Sequence, residues 1–168
     1  MKSLIMTLIG EDKPGMVDSL AQAVAKHKGN WQGSRFAHMA GQFTGFVEVT
    51  VNPDTAEALV DEVNAIPDLS IQTVSVKTPQ PAARNIAKFS VMGNDKPGIV
   101  SEITSVLQQF NINIMTFDSE CVSAPNWGNL MFKAEFSVAL PDKVDVDDIQ
   151  QALETIANDL VVDINFEE

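Results

Sequence analysis

At 168 residues, with 45% hydrophobic and 20% charged side chains, the chain has the composition of a globular protein of one ordinary domain or two small ones. Its formal net charge of −12 would be repelled by phosphate backbones, and no basic run offsets it, which excludes direct nucleic-acid binding. No stretch approaches the roughly 18 apolar residues that a membrane span needs, so no membrane partner is expected.

In chain order, Leu4 to Ile9 is a short apolar run that enters Gly10-Glu11-Asp12 without a small-residue cleavage site, and it reads as a first strand rather than a leader. After the turn Gly10-Glu11-Asp12-Lys13-Pro14-Gly15, the residues Met16, Val17, Leu20, Ala21, Val24 and Ala25 recur at helical spacing. Lys26, His27 and Lys28 close that helix and Gly29 stops it. Asn30 to Met39 and Gln42 to Val51 read as two strands around Ala40-Gly41. Asn52-Pro53-Asp54 turns into a second helix whose buried face is Ala56, Leu59, Val60, Val63 and Ile66, and Pro67-Asp68 ends it. Leu69 to Lys77 alternates as a last strand.

The same order then returns. Gly93-Asn94-Asp95-Lys96-Pro97-Gly98-Ile99-Val100 repeats Gly10-Glu11-Asp12-Lys13-Pro14-Gly15-Met16-Val17 after 83 residues, with six of eight positions identical. Around it fall a strand over 86–92, a helix over 99–110, strands over 113–123 and 130–140, a helix through Val146, Ile149, Leu153 and Ile156, and a strand over 160–166. The fold class is therefore α+β: two βαββαβ modules of the ferredoxin-like type, each an antiparallel four-stranded sheet with two helices on one face and the other face free. Module 1 covers 1–78, a Pro-rich linker 79–84 and module 2 85–168. Charge is uneven between them: −3 in 1–78 against −10 in 85–168.

The repeated loop carries the candidate chemistry. A helix N-terminus offers unpaired N–H donors and a partial positive charge, a seat for a carboxylate. On this reading Gly10 and Gly93 release the backbone from the strand, Asp12 and Asp95 act as caps, and Pro14 and Pro97 fix φ at the helix start. Gly15 and Gly98 admit a small ligand or another backbone to the first turn, while Lys13 and Lys96 either add a full charge or are simply solvated. A well-capped strand-to-helix turn with no ligand is the alternative. Asn30 and Asn113 open equivalent strands, and an amide there could serve a carboxylate or an ammonium if it faced the same loop; an ordinary turn role is the alternative.

Strand, Gly-x-Asp-x-Pro-Gly, helix and Asn at the next strand resemble the ACT domain, a small-molecule-sensing module of amino-acid metabolism, in both copies and over nearly the whole chain. Two such modules with no catalytic domain are similar to the tandem-ACT transcriptional repressors of the glycine cleavage system. The resemblance implies binding of a small amino acid, glycine first, through Asp12, Lys13, Pro14, Gly15, Asn30, Asp95, Lys96, Pro97, Gly98 and Asn113. It implies action by contact with a DNA-binding transcription activator, with a metabolic enzyme as the alternative partner and a structural adaptor with vestigial loops as a third reading. The acidity of the second module fits protein contact. Free sheet faces suggest a homo-oligomer.

No nucleophile, base and orienter assemble from the polar residues, so no enzyme and no cofactor is expected. His27 and His38 with one cysteine do not make a familiar zinc site, and His27 reads as solvated. Cys121 has no partner for an internal disulfide, which fits a cytoplasmic location, and reads as a packing residue. Asp145, Asp147 and Asp148 gather at a helix start. Trp127, in a loop longer than its counterpart, is either a contact residue or packed over its own sheet.

Overall fold

The structure, a computed structural model, describes residues 1–76, 85–123, 128–156 and 159–166. The 79–84 linker and Trp127 lie outside the described residues. The chain divides into two compact units, Met1–Gln80 and Pro81–Glu168.

The first unit runs β1 (Lys2–Glu11), α1 (Met16–Lys26), β2 (Asn30–Met39), β3 (Gln42–Val51), α2 (Pro53–Asn64) and β4 (Leu69–Val76). The second runs β5 (Ile86–Asn94), α3 (Ile99–Gln109), β6 (Asn113–Ser123), β7 (Leu130–Ala139), α4 (Val146–Glu154) and β8 (Val161–Phe166). Their sheets are ordered β2-β3-β1-β4 and β6-β7-β5-β8, with every neighbouring pair antiparallel. These are the two βαββαβ modules expected.

Strand alternation sends one side of each sheet to the helices. In module 1 Leu4, Met6 and Leu8 of β1 and Val47, Val49 and Val51 of β3 meet Leu20, Val24, Leu59 and Val63 of the helices. In module 2 Phe89 and Phe136 stack with centroids 5.2 Å apart over Ile103, Leu107, Ile149 and Leu153. Each helix therefore exists as one wall of a core, with its polar face outward.

Ala40 and Gly41 both take positive φ (50° and 80°), the two-residue hairpin turn that matches strand twist. Asn52 caps α2, its side chain accepting from the Asp54 N–H at 3.1 Å, and Pro53 is the first helical residue. Gly29 does not supply the left-handed residue that ends α1. Lys28 does (φ 54°), with its N–H on the Ala25 carbonyl and that of Gly29 on the Val24 carbonyl. A side chain at Gly29 would instead meet a Val24 methyl at 2.9 Å, which is why glycine stands there. In module 2 Asn111 takes the same role (φ 54°). Asp145 caps α4 through the Asp147 N–H at 3.0 Å.

Candidate functional site

The two copies of the repeated loop leave the same corner of their sheets. β1 reaches it through Gly10, opposite Phe43 of β3 and Leu69 of β4. A Cβ on Gly10 would lie 2.2 Å from the Asp68 carbonyl, so glycine here serves a close crossing inside the sheet, not a turn out of it. Gly93 is packed less closely: a Cβ there would lie 3.0 Å from a Leu160 methyl and 3.3 Å from the Asp159 carbonyl.

The helix start departs from the expected capping. Gly15 and Gly98 are themselves the N-cap residues, left-handed at φ 90° and 87°, and no side chain caps either helix. Pro14 and Pro97 thus stand one residue ahead of the cap. Asp12 and Asp95 do not cap: their own N–H groups donate to the Gly41 and Leu130 carbonyls at 3.3 and 2.9 Å. Positive φ selects glycine at positions 15 and 98, and nothing lies within 4 Å of where a Cβ would be. The first turn of α1 therefore opens without a capping side chain into a hollow of about 300 Å³ lined by Asp12, Lys13, Gly15, Met16, Asp18 and Phe43.

Each loop aspartate looks across to the second strand of its module. The Asp12 carboxylate is 3.6 Å from His38 Nε2. Eighty-three residues on, Asp95 meets Cys121 in the position of His38. Cys121 is exposed and not a packing residue. Partial loss of water pushes its thiol pKa up, and the Asp95 carboxylate adds to the shift.

The lysines are held differently. Lys13 Nζ donates to Asp68 Oδ2 at 2.9 Å, with Glu11 at 3.9 Å, and the Asp68 bond holds its pKa up. In module 2 the residue matching Glu11 is Asn94. Its backbone N–H and side-chain amide both donate to Asp159, whose pKa is held down chiefly by the backbone bond. Lys96 turns instead to the Ile156 carbonyl at 3.2 Å and to Glu102 at 2.6 Å, where module 1 has Ser19. One motif difference, Glu11 against Asn94, goes with the rewiring. Sequence marks Asp68 only as part of a helix stop and Asp159 not at all; the signal for both is the Asp-Leu pair ahead of each last strand.

Asn30 and Asn113 do not join their own loops. Asn30 sits opposite Thr50 and Asn113 opposite Ala139, whereas the loops leave beside Phe43 and Phe132. Seven residues of central strand separate the two levels in each module, roughly 23 Å. The strand after the first helix begins at the end where the first strand begins, because the helix has carried the chain back. Asn113 borders a separate hollow of about 240 Å³ at that end.

The sequence profile of the ACT domain matches residues 2–75 and 89–167, one match for each module. The chain belongs to the ACT domain family. Over 162 residues it is 23% identical to the glycine cleavage system transcriptional repressor of Escherichia coli strain K12, covering 94% of this chain and 85% of the relative. Among solved structures, an uncharacterised protein from Galdieria sulphuraria superposes with a TM-score of 0.86 at 24% identity, over 99% of both chains. A candidate glycine cleavage system transcriptional repressor superposes at 0.68 with 19% identity, over 99% of this chain and 98% of that one. These two likenesses are of fold. No helix among the described residues is long and apolar enough to cross a membrane, and none of their His, Cys, Asp and Glu side chains form a group of three able to hold a metal.

Proposed function

We propose that this ACT-domain protein is an amino-acid-responsive regulator that works by protein contact in the cytoplasm, as a non-enzyme and without touching DNA. A small amino acid, glycine first, seats its carboxylate on the open first turn of α1 or α3, where N–H donors and the helix dipole favour an anion. Asp12 or Asp95 receives the ammonium group, and Lys13 or Lys96 adds charge at the rim. The observation that supports this most is the loop built twice, each with a left-handed glycine cap and no capping side chain. Asn30 and Asn113 take no part at their own loops in this reading. Net charge of −12 speaks against a nucleic-acid partner, and the likeness to a glycine cleavage system transcriptional repressor supports a regulatory role.

The loops differ in readiness. Both first turns carry a carboxylate, Asp18 in α1 and Glu102 in α3, and both lysines are engaged. The α1 loop opens into the hollow of about 300 Å³, so the first module is the stronger seat. Thermal unfolding with each of the twenty amino acids tests the proposal. A ligand at about 100 times its dissociation constant stabilises by roughly 2.7 kcal/mol, which is several degrees for modules of this size. The expected result is a shift with glycine or serine that Asp12→Asn abolishes and Asp95→Asn leaves largely intact. A flat screen, or a shift indifferent to both variants, removes the loop reading.

A further inference from the structure

The two modules share a backbone but differ on the sheet face turned away from the helices. In module 2 one row crosses all four strands: Asp118 opposite Glu135, Glu135 opposite Ser90, and Ser90 opposite Asp163. Glu120 lies one row away, opposite Lys133. Ser90, Asp118, Glu120, Glu135 and Lys133 line an open hollow of about 500 Å³, three carboxylates to one cation. The matching row of module 1 reads Arg35, Phe46, Thr7 and Gln72. The same fold thus stands without a single carboxylate there.

Like charges directly opposite on neighbouring strands are unfavourable. An arrangement that the fold does not need and that works against it is expected where a surface serves a contact. We propose that the open face of the second sheet is the docking surface for a basic partner protein, one presenting lysine or arginine beside apolar side chains. Charge complementarity chooses that occupant. A second copy through the same face would set acid against acid, and the described residues hold no metal-ligating group of three. Met92 and Val161, 43% and 60% exposed in the adjoining row, supply the apolar contact. The inference rests on the protein-contact reading above.

The test is amide NMR of the isotope-labelled full chain titrated with a synthetic peptide alternating lysine and leucine. Shift changes centred on Ser90, Met92, Asp118, Glu120 and Glu135, fading as salt rises from about 0.1 to about 0.5 M, support the surface. The double variant D118N/E135Q, which relieves repulsion and so should keep its fold, is expected to weaken binding by about tenfold. Changes centred on Asp145–Asp148, changes spread evenly over the acidic surface, no changes, or equal binding by the variant overturn it. So does calcium alone perturbing the row at lower concentration than the peptide. Glycine-dependent thermal shift in the same samples separates the two readings: a retained glycine response with failed docking leaves the amino-acid reading standing, and the reverse leaves the surface.

Discussion

The Thr73 hydroxyl oxygen is buried in module 1 without a hydrogen-bond partner. A hydroxyl removed from water and left unpaired is unfavourable, and valine keeps its shape. Thr73→Val should therefore stabilise by about 1 kcal/mol, read as a higher urea midpoint with unchanged slope. Lys28 makes a second residue-scale test. It holds a left-handed backbone that costs a residue with a Cβ roughly 1 kcal/mol, so Lys28→Gly should stabilise by a comparable amount. Asn111→Gly, at the matching site, should gain less, since asparagine tolerates that conformation better. Asn111 did not stand out in the sequence, and Lys28 did so only as a charge closing its helix. Local pattern marks where a helix stops but not which residue turns left-handed, because Gly29 beside Lys28 offered the simpler choice.

Among elements, α1 and α2 are tied by one carboxylate. Glu62 accepts from Lys26 at 2.8 Å and lies 2.7 Å from His27 Nε2, whose side chain is only 15% exposed, so His27 is not the solvated residue expected. The Lys26 bond, then the His27 bond, holds the Glu62 pKa below its ordinary value. A carboxylate with a depressed folded pKa stabilises above its unfolded pKa, and that contribution disappears as pH falls through the folded value. Glu62→Gln should thus lower stability at neutral pH, with the two unfolding curves converging below the usual glutamate range. Parallel curves down to strong acid would show that the tie contributes nothing. Element boundaries were largely legible: β2 and β3 begin and end where alternation and turn residues place them, because Ala40-Gly41 leaves room for one hairpin only, and β6 also keeps its expected bounds. The level of Asn30 was not legible. Spacing orders the elements, but the return path through a helix decides which end of the sheet a strand start occupies.

For the molecule as a whole, the duplicated fold and the family were readable from one repeated phrase, whereas the contrast between the two sheet faces was not. It emerges only when register sets Asp118 against Glu135 and Arg35 against Phe46. Relieving that repulsion with D118N/E135Q should stabilise the second module by about 0.5 kcal/mol, and the gain should shrink as added salt screens the wild type. Differential scanning calorimetry at two ionic strengths measures both. A loss of stability in the variant would mean that the carboxylates support the sheet after all.

His38 and Cys121 occupy one position in two copies, each beside its loop aspartate. The native chain consequently carries a different spectroscopic handle at each loop. An imidazole resonance follows events at the first, and the alkylation rate of the chain's one thiol follows events at the second. Occupancy of the two seats can be watched separately in unmodified protein, without a label that would itself alter the loop.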